Sequence, residues 1–294
     1  MAISAGMVKE VRERSGAGMM ECKKALVETD GDIEAALKYL RKSGAAKAAK
    51  RAGRIAAEGI VIAVVDGSRS VLVEVNSETD FVAKDDNFTQ FTQSVAAILL
   101  RHRPQDLEAL ASAVSDNGES IEEMRTNLIT KIGENISVRR FDYVDFDGGI
   151  IESYIHGNRI GVLVAMEGGT RDLARDIAMQ VAASSPVCIG EDDVTEELLS
   201  KEREIQAAQA EQSGKPPQIV EKMVDGRLKK FINEITLLGQ AFVKDTDRTV
   251  AQLLDASDAK VRHFIRYEVG EGIEKKQENF ADEVLAQARS AGRS

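Results

Sequence analysis

The densest chemistry in this 294-residue chain lies between residues 76 and 88, Asn-Ser-Glu-Thr-Asp-Phe-Val-Ala-Lys-Asp-Asp-Asn-Phe. Within it, Thr79-Asp80-Phe81-Val82 sets a large aromatic beside a carboxylate. An alternating apolar run (Val71, Val73, Val75) has just ended there, and the next helical pattern has not begun. A buried strand has no use for Asp80, and a solvated loop has no use for Phe81. An exposed aromatic beside a charge suits a loop that engages a partner, because one central aromatic can carry much of an interface's energy. The competing reading is packing, with Phe81 and Val82 tucked under the sheet while Asp80 caps the following helix. Residue types alone leave the two readings open.

Groups for covalent or metal chemistry form no usable pattern. Ser213-Gly214-Lys215-Pro216 is the nearest approach to a phosphate-binding loop, and it lacks the first Gly and the final hydroxyl. Gly270-Glu271-Gly272 is followed by no third Gly at a dinucleotide-loop offset. His102, His156 and His263 show no metal-ligand spacing, and neither Cys22 nor Cys188 has a base near it in sequence. With 49 Asp and Glu, any pairing of carboxylates would be arbitrary. The expectation is a protein that acts by binding, with no enzymatic active site, no cofactor and no resident metal.

Composition sets the class. A chain 43% hydrophobic and 30% charged belongs with globular proteins and is long enough for two or more cores. Aromatics make up only 4% and Trp is missing, so Ala, Val, Ile and Leu must fill those cores. Residues 1–54 hold 12 Lys and Arg against 7 Asp and Glu, net +5, which leaves −15 for the rest of a chain whose net charge is −10. A basic head on an acidic body fits steering towards an acidic protein face, and the acidic body argues against nucleic acid as the main ligand. Two distant cysteines point to reduced thiols and a cytoplasmic setting. The N-terminus is too polar for a signal peptide, and no apolar run approaches the ~20 residues that span a bilayer.

The elements that must position Thr79 to Val82 follow from periodicity. Three short helices are expected in the first 43 residues, the first capped by Ser4 and stopped by Gly16. The third places Ile33, Ala36, Leu37 and Leu40 on one face and stops at Ser43-Gly44. The basic, Ala-rich run 41–54 then reads as a linker. Ile60 to Val65 and Val71 to Val75 form a hairpin around Asp66-Gly67-Ser68. Helices follow at 86–101 and at 120–132, where Ser120 and Glu123 make a capping-box pattern. A second hairpin, Ile150 to Ile155 and Ile160 to Met166, turns at His156-Gly157-Asn158, and a helix over 170–183 succeeds it. Hairpin-then-helix occurring twice implies an α+β core of two related halves.

Residues 193–235 read as two helices joined at Ser213-Gly214-Lys215-Pro216-Pro217, an antiparallel hairpin; dimerisation through it stays open. A short helix closing at 253–256 precedes a strand over 261–269 that rejoins the sheet. After Gly270-Glu271-Gly272, Phe280, Val284, Leu285 and Ala288 mark a terminal amphipathic helix.

Several stretches, in order along the chain, resemble the translation elongation factor Ts family. They are Val8-Lys9-Glu10-Val11-Arg12-Glu13-Arg14, the runs 16–26 and 31–34, Thr79-Asp80-Phe81-Val82-Ala83-Lys84, Lys131-Ile132-Gly133-Glu134-Asn135-Ile136, the run 156–164, and Arg266-Tyr267-Glu268-Val269-Gly270-Glu271-Gly272-Ile273-Glu274-Lys275. The resemblance implies a ubiquitin-associated-like bundle with its basic linker at 1–54 and core halves at 55–140 and at 141–188 with 236–272. It also implies an inserted coiled-coil hairpin at 189–235 and a C-terminal helical module at 273–294. It implies guanine nucleotide exchange on elongation factor Tu during translation, with no cofactor, no membrane and no direct nucleic-acid binding.

In that reading Thr79, Asp80, Phe81 and Val82 form a wedge that displaces the partner's magnesium ion, and Met19, Met20 and Lys23 form a second docking surface. His156 becomes a partner contact. Residue types alone also allow Met19 and Met20 as core filler and His156 as a turn residue bonding its own backbone. Two features depart from the family pattern: Glu78, where relatives often carry an uncharged residue, and the tip at 213–217. The alternative from another class is a ubiquitin-associated-type adaptor or RNA-linked scaffold without exchange activity.

Overall fold

The computed structural model describes residues 3–212 and 215–274. The expected terminal helix around Phe280 to Ala288 and residues 213–214 of the hairpin tip lie outside the described residues. The described fold is α+β, as the sequence implied.

Three helices open the chain. α1 (Ala5–Ser15) begins where the Ser4 hydroxyl accepts the Met7 N–H, and it ends at Gly16, whose φ of 67° returns an N–H to the Arg12 carbonyl. α2 (Met19–Glu28) follows, and the Asp32 carboxylate caps α3 (Ile33–Arg51) by accepting the Ala35 N–H. Val11, Cys22, Ala25, Leu26, Ala36 and Leu40 close a small core of their own. The expected stop at Ser43-Gly44 is not there. α3 continues through Gly44 to Arg51, so most of the stretch expected as a linker is helix. Gly44 is a packing residue rather than a breaker: a Cβ at its position would lie 2.9 Å from the Thr130 hydroxyl.

β1 (Glu58–Asp66) and β2 (Arg69–Ser77) form the first hairpin, in the register that pairs Ile62 with Val73. Then come α4 (Asp80–Ala83), α5 (Asp86–His102), α6 (Leu107–Ser112) and α7 (Ile121–Ile132), whose Ser120–Glu123 capping box is formed. β3 (Ile136–Asp145) returns antiparallel to β2, giving the order β1-β2-β3. The second half repeats the plan. β4 (Ile150–His156) and β5 (Ile160–Gly168) form a hairpin, and α8 (Arg171–Ser184) packs on it. α9 (Glu196–Glu211) and α10 (Pro217–Ile235) then leave the core as a helical hairpin. The small hairpin β6 (Ala241–Phe242) with β7 (Asp245–Thr249) leads to α11 (Val250–Asp255). Finally β8 (Ala259–Glu268) pairs with β5, giving β4-β5-β8. Sequence periodicity missed α6, β3 and β6–β7. β3 was masked because Arg139 and Arg140 interrupt its alternation beside a register shift.

The two sheets pack face to face, with helices on their outer faces. Val61, Leu72, Val144, Ile151, Leu163, Tyr267 and Val269 fill the space between the sheets. α5 and α7 cover the outer face of the first sheet, and α8 covers that of the second. This explains why β2 and β5 read as nearly unbroken apolar runs: central strands covered on both faces need apolar residues on both. Gly161 lets the sheets approach, since a Cβ there would sit 2.3 Å from Val61 Cγ1.

A buried carboxylate ties the halves together. Glu74, on β2, has no exposed surface, yet it accepts from the Gly270 N–H at 2.8 Å, Asn76 Nδ2 at 3.0 Å, Arg139 at 3.0 Å and Arg140 at 2.6 Å. Arg140 also lies 4.1 Å over the Tyr267 ring, and the Tyr267 hydroxyl donates to Asp142 at 2.7 Å. Burial pushes the Glu74 carboxyl pKa up, but the Gly270, Asn76, Arg140 and Arg139 donors outweigh it and hold the group below the usual value of 4.5.

Removing one member of a buried, charge-paired network typically costs about 3–5 kcal/mol. Glu74→Ala should lower stability by that order in a denaturant titration. A depressed carboxyl contributes stability that is present above the unfolded-state value and lost as pH falls through the folded-state value. The wild type should therefore lose stability below about pH 4.5, with a steeper slope than Glu74→Gln.

Candidate functional site

At the end of β2 the chain makes one helical turn, α4, and its start is clamped. The Thr79 N–H and hydroxyl donate to the two carboxylate oxygens of Glu134 at 3.0 and 2.7 Å. The Thr79 carbonyl accepts the Ser77 hydroxyl at 2.9 Å, and its hydroxyl caps the turn through the Val82 N–H at 3.4 Å. Glu134 lies in the loop between α7 and β3, with Asn135 beside it. The Asn135 N–H donates to Glu78 at 2.6 Å, and Arg54 reaches Glu78 at 3.4 Å. Asp85 then caps α5 by accepting from the Asn87 and Phe88 N–H groups. A turn held at both ends presents its side chains in fixed directions.

Those directions divide the two sequence readings: Val82, expected in the wedge, is tucked into the core as the packing reading had it, and Phe81 is not. Val82 faces the core beneath α5, whereas Phe81 is 80% exposed. Adjacent residues on a helical turn point about 100° apart, so burying one turns the other out. The cap is Thr79, and Asp80 stands in the first turn, where a negative charge suits the helix N-terminus. Asp80 accepts from Lys84 Nζ at 2.7 Å. That bond, helped by lesser effects of the Lys84 and Arg159 charges, outweighs desolvation and keeps the Asp80 carboxyl below the usual carboxylate range.

Arg159 belongs to the β4–β5 turn and pairs with Glu58, which lies opposite Ser77 at the α4 end of the first sheet. Gly157 and Asn158, the central residues of a turn closed by the Arg159 N–H on the His156 carbonyl, both have positive φ, 55° and 58°. The Asn158 carbonyl accepts the Val61 N–H at 2.9 Å, and Arg159 binds Glu58 at 2.5 Å, which fixes the turn to β1. His156 opens this turn on an exposed position. Its Nδ1 meets the Tyr154 hydroxyl at 3.3 Å with the rings stacked, so the imidazole is held by a neighbour on its own strand rather than by its own backbone.

Met19 and Met20 are 59% and 74% exposed on α2, and Lys23 is exposed one turn on, so the core-filler reading of the two methionines does not hold. This surface lies in the N-terminal bundle and not beside α4; Val27 extends its apolar part. Glu134 and Arg159 are supporting residues that motif reading passed over, and Glu78, noted only as a departure from the family pattern, is a third. Glu134 and Arg159 sat inside quoted family stretches, but the reach of Glu134 to Thr79 spans 55 positions in sequence. Among the described residues no group of three His, Cys, Asp or Glu could hold a metal ion. Cys22 and Cys188 are free, and burial raises the Cys188 thiol pKa. No described helix is long and apolar enough to cross a membrane.

This clamped turn falls inside a family match. The model described as Elongation factor TS matches residues 78–271, beginning one residue before Thr79. The chain belongs to the elongation factor Ts family. Curated members are similar over almost their whole length. Elongation factor Ts of Thioalkalivibrio sulfidiphilus is 61% identical over 294 residues, covering 99% of this chain and 100% of that protein. That of Alkalilimnicola ehrlichii is 59% identical over 293 residues, with 99% and 100% covered. That of Methylococcus capsulatus is 55% identical over 293 residues with the same coverage. The chain is therefore a translation elongation factor of the Ts family.

The burial difference between neighbours gives a stability test. Phe81→Ala, at an exposed position, should change unfolding free energy by no more than about 0.5 kcal/mol. Val82→Ala, which empties part of the core, should cost about 1–2 kcal/mol in the same denaturant titration.

Proposed function

We propose that this elongation factor is a guanine nucleotide exchange factor for elongation factor Tu, acting by binding alone in the cytoplasm. The observation that carries the proposal is a rigid turn that drives an 80%-exposed Phe81 outward beside an ionised Asp80, within a family known by the name elongation factor Ts. An aromatic held outward by Thr79 and Val82 loses little freedom on docking, so more of its burial energy is available to the complex.

In this reading Phe81 enters a pocket beside the partner's GDP site, and Asp80 engages the segment that supports the metal-linked waters. Displacement of the magnesium ion weakens the nucleotide's phosphate contacts, and GDP leaves. The coupling is reciprocal: the factor lowers GDP affinity by the ratio through which GDP lowers affinity for the factor. Met19, Met20 and Lys23 supply a second contact from α2, and His156 a third from the β4–β5 turn. The exposure of the two methionines and the Arg159–Glu58 contact, which holds the β4–β5 turn at the α4 end of the first sheet, support these assignments. Nothing in the described residues favours the adaptor reading over this one.

Release of a fluorescent GDP analogue from elongation factor Tu, followed by stopped flow, tests the proposal. The wild type should accelerate release. A hot-spot aromatic contributes about 2–4 kcal/mol, so Phe81→Ala should lose roughly 30- to 1000-fold of that acceleration while remaining folded. No acceleration by folded wild type would overturn the function, and acceleration untouched in Phe81→Ala would overturn the wedge.

A further inference from the structure

Two surfaces are assigned to the partner in the reading above, one on α2 and one on α4, and they belong to separately packed units. What joins them is not a loop. α3 begins inside the N-terminal bundle and ends on the core, and its second half lies along α7. Gly44 faces Thr126 and Thr130, with only 2.9 Å between a would-be Cβ and Thr130 Oγ1. One turn on, Ala48 is buried in the core of the first half. Arg41 lies close enough to Glu123 to help depress that carboxyl pKa, after the larger effect of the Ser120 donors. Arg51 donates to the Ile129 carbonyl at 3.3 Å. These contacts advance together along both helices, from 41 and 123 to 51 and 129, so the packing is continuous.

Both ends of the connection are fastened. At the bundle end, Lys47 pairs with Glu21, the residue after Met20 on α2. At the core end, Asn135 Nδ2 donates to the Arg54 carbonyl at 2.8 Å, while its N–H holds Glu78, which Arg54 also meets. Glu134, the neighbour of Asn135, holds Thr79. A path of packed side chains and hydrogen bonds therefore runs from α2 through α3 to the base of the wedge. Beside it a cleft of about 600 Å³ lies between Arg14, Leu37 and Lys38 on one side and Glu119 and Asn127 on the other.

We propose that α3 is a rigid strut that presents the α2 surface and the α4 wedge as one body, with Gly44 as its positioning residue. The proposal rests on the exchange reading for what the surfaces bind, but not for the rigidity itself. A fixed spacing lets binding at one surface deliver the other at high effective concentration, whereas a flexible joint dilutes it. Gly44 costs helix propensity at its position, and close packing against α7 offsets that cost.

Two measurements test this on the full chain. Spin labels at Lys24→Cys and Gln90→Cys, with Cys188→Ser, should give one narrow distance distribution by pulsed electron resonance; a broad one would overturn the strut. A Gly-Ser-Gly-Ser-Gly insertion between Lys42 and Ser43 should broaden that distribution. In GDP release from elongation factor Tu it should raise the half-saturating concentration roughly tenfold or more, with the saturating rate within about twofold. Gly44→Leu, which prises α3 from α7, should shift the same two readouts in the same direction and serves if the insertion misfolds. An unchanged half-saturating concentration in a folded variant with a broadened distribution would overturn the coupling. Absence of exchange by the wild type would instead sink the functional reading and leave the distance result standing.

Discussion

The buried Glu74 carboxylate and the sheet interface around it set the geometry on which the rest depends. Four donors from β2, β3 and the Gly270 backbone converge on one charge, and they come from both halves of the core. An ion without solvent is tolerated only when its partners are fixed, so the network stabilises one relative placement of the sheets and penalises others. The apolar layer between the sheets would permit some sliding by itself, since apolar contact is nondirectional. The charged cluster supplies direction. The β4–β5 turn of the second half is held against β1 separately, through Asn158 on Val61 and Arg159 on Glu58.

Around that fixed interface, the candidate functional groups occur where regular structure ends. Thr79 to Val82 follow the last residue pair of β2, and His156 closes β4 at a three-residue turn. Such positions are free of ladder obligations, so their side chains can be assigned to a partner while the strands behind them hold the backbone. Glu134 does for the wedge what Glu74 does for the core: a carboxylate accepts donors that the local structure leaves unpaired. In both cases the acid comes from an element far away in sequence.

The helical hairpin α9–α10 is attached differently. Its two roots are zipped to each other, with the Val187 N–H on the Ile235 carbonyl and the Leu237 N–H on the Cys188 carbonyl. Outside the roots, Val224, Leu228 and Ile232 form a single buried stripe on α10, while α9 buries only Ala210. The Arg203–Asp225 pair at 3.2 Å is exposed, and surface pairs of this kind contribute little. The arm thus has a thin core of its own and a firm base.

By itself the sequence determined the class, the β1–β2 and β4–β5 hairpins, most helices and the absence of a recognisable catalytic pattern, because periodicity, caps and turn residues act over a few positions. Ser4, Gly16, Asp32 and the Ser120–Glu123 box signalled their helix ends locally, and Gly157-Asn158 signalled its turn. The candidate wedge was legible as a pair of residues out of place for either strand or loop. Only the tertiary structure decided that Phe81 points out and Val82 in, since that depends on where α5 lies. It also decided that Gly44 packs instead of stopping a helix, which depends on Thr130 of α7, and that β3 is a strand despite Arg139 and Arg140. Those arginines are accommodated because Glu74 waits on the neighbouring strand, a pairing that spans 65 positions and that no local pattern can announce.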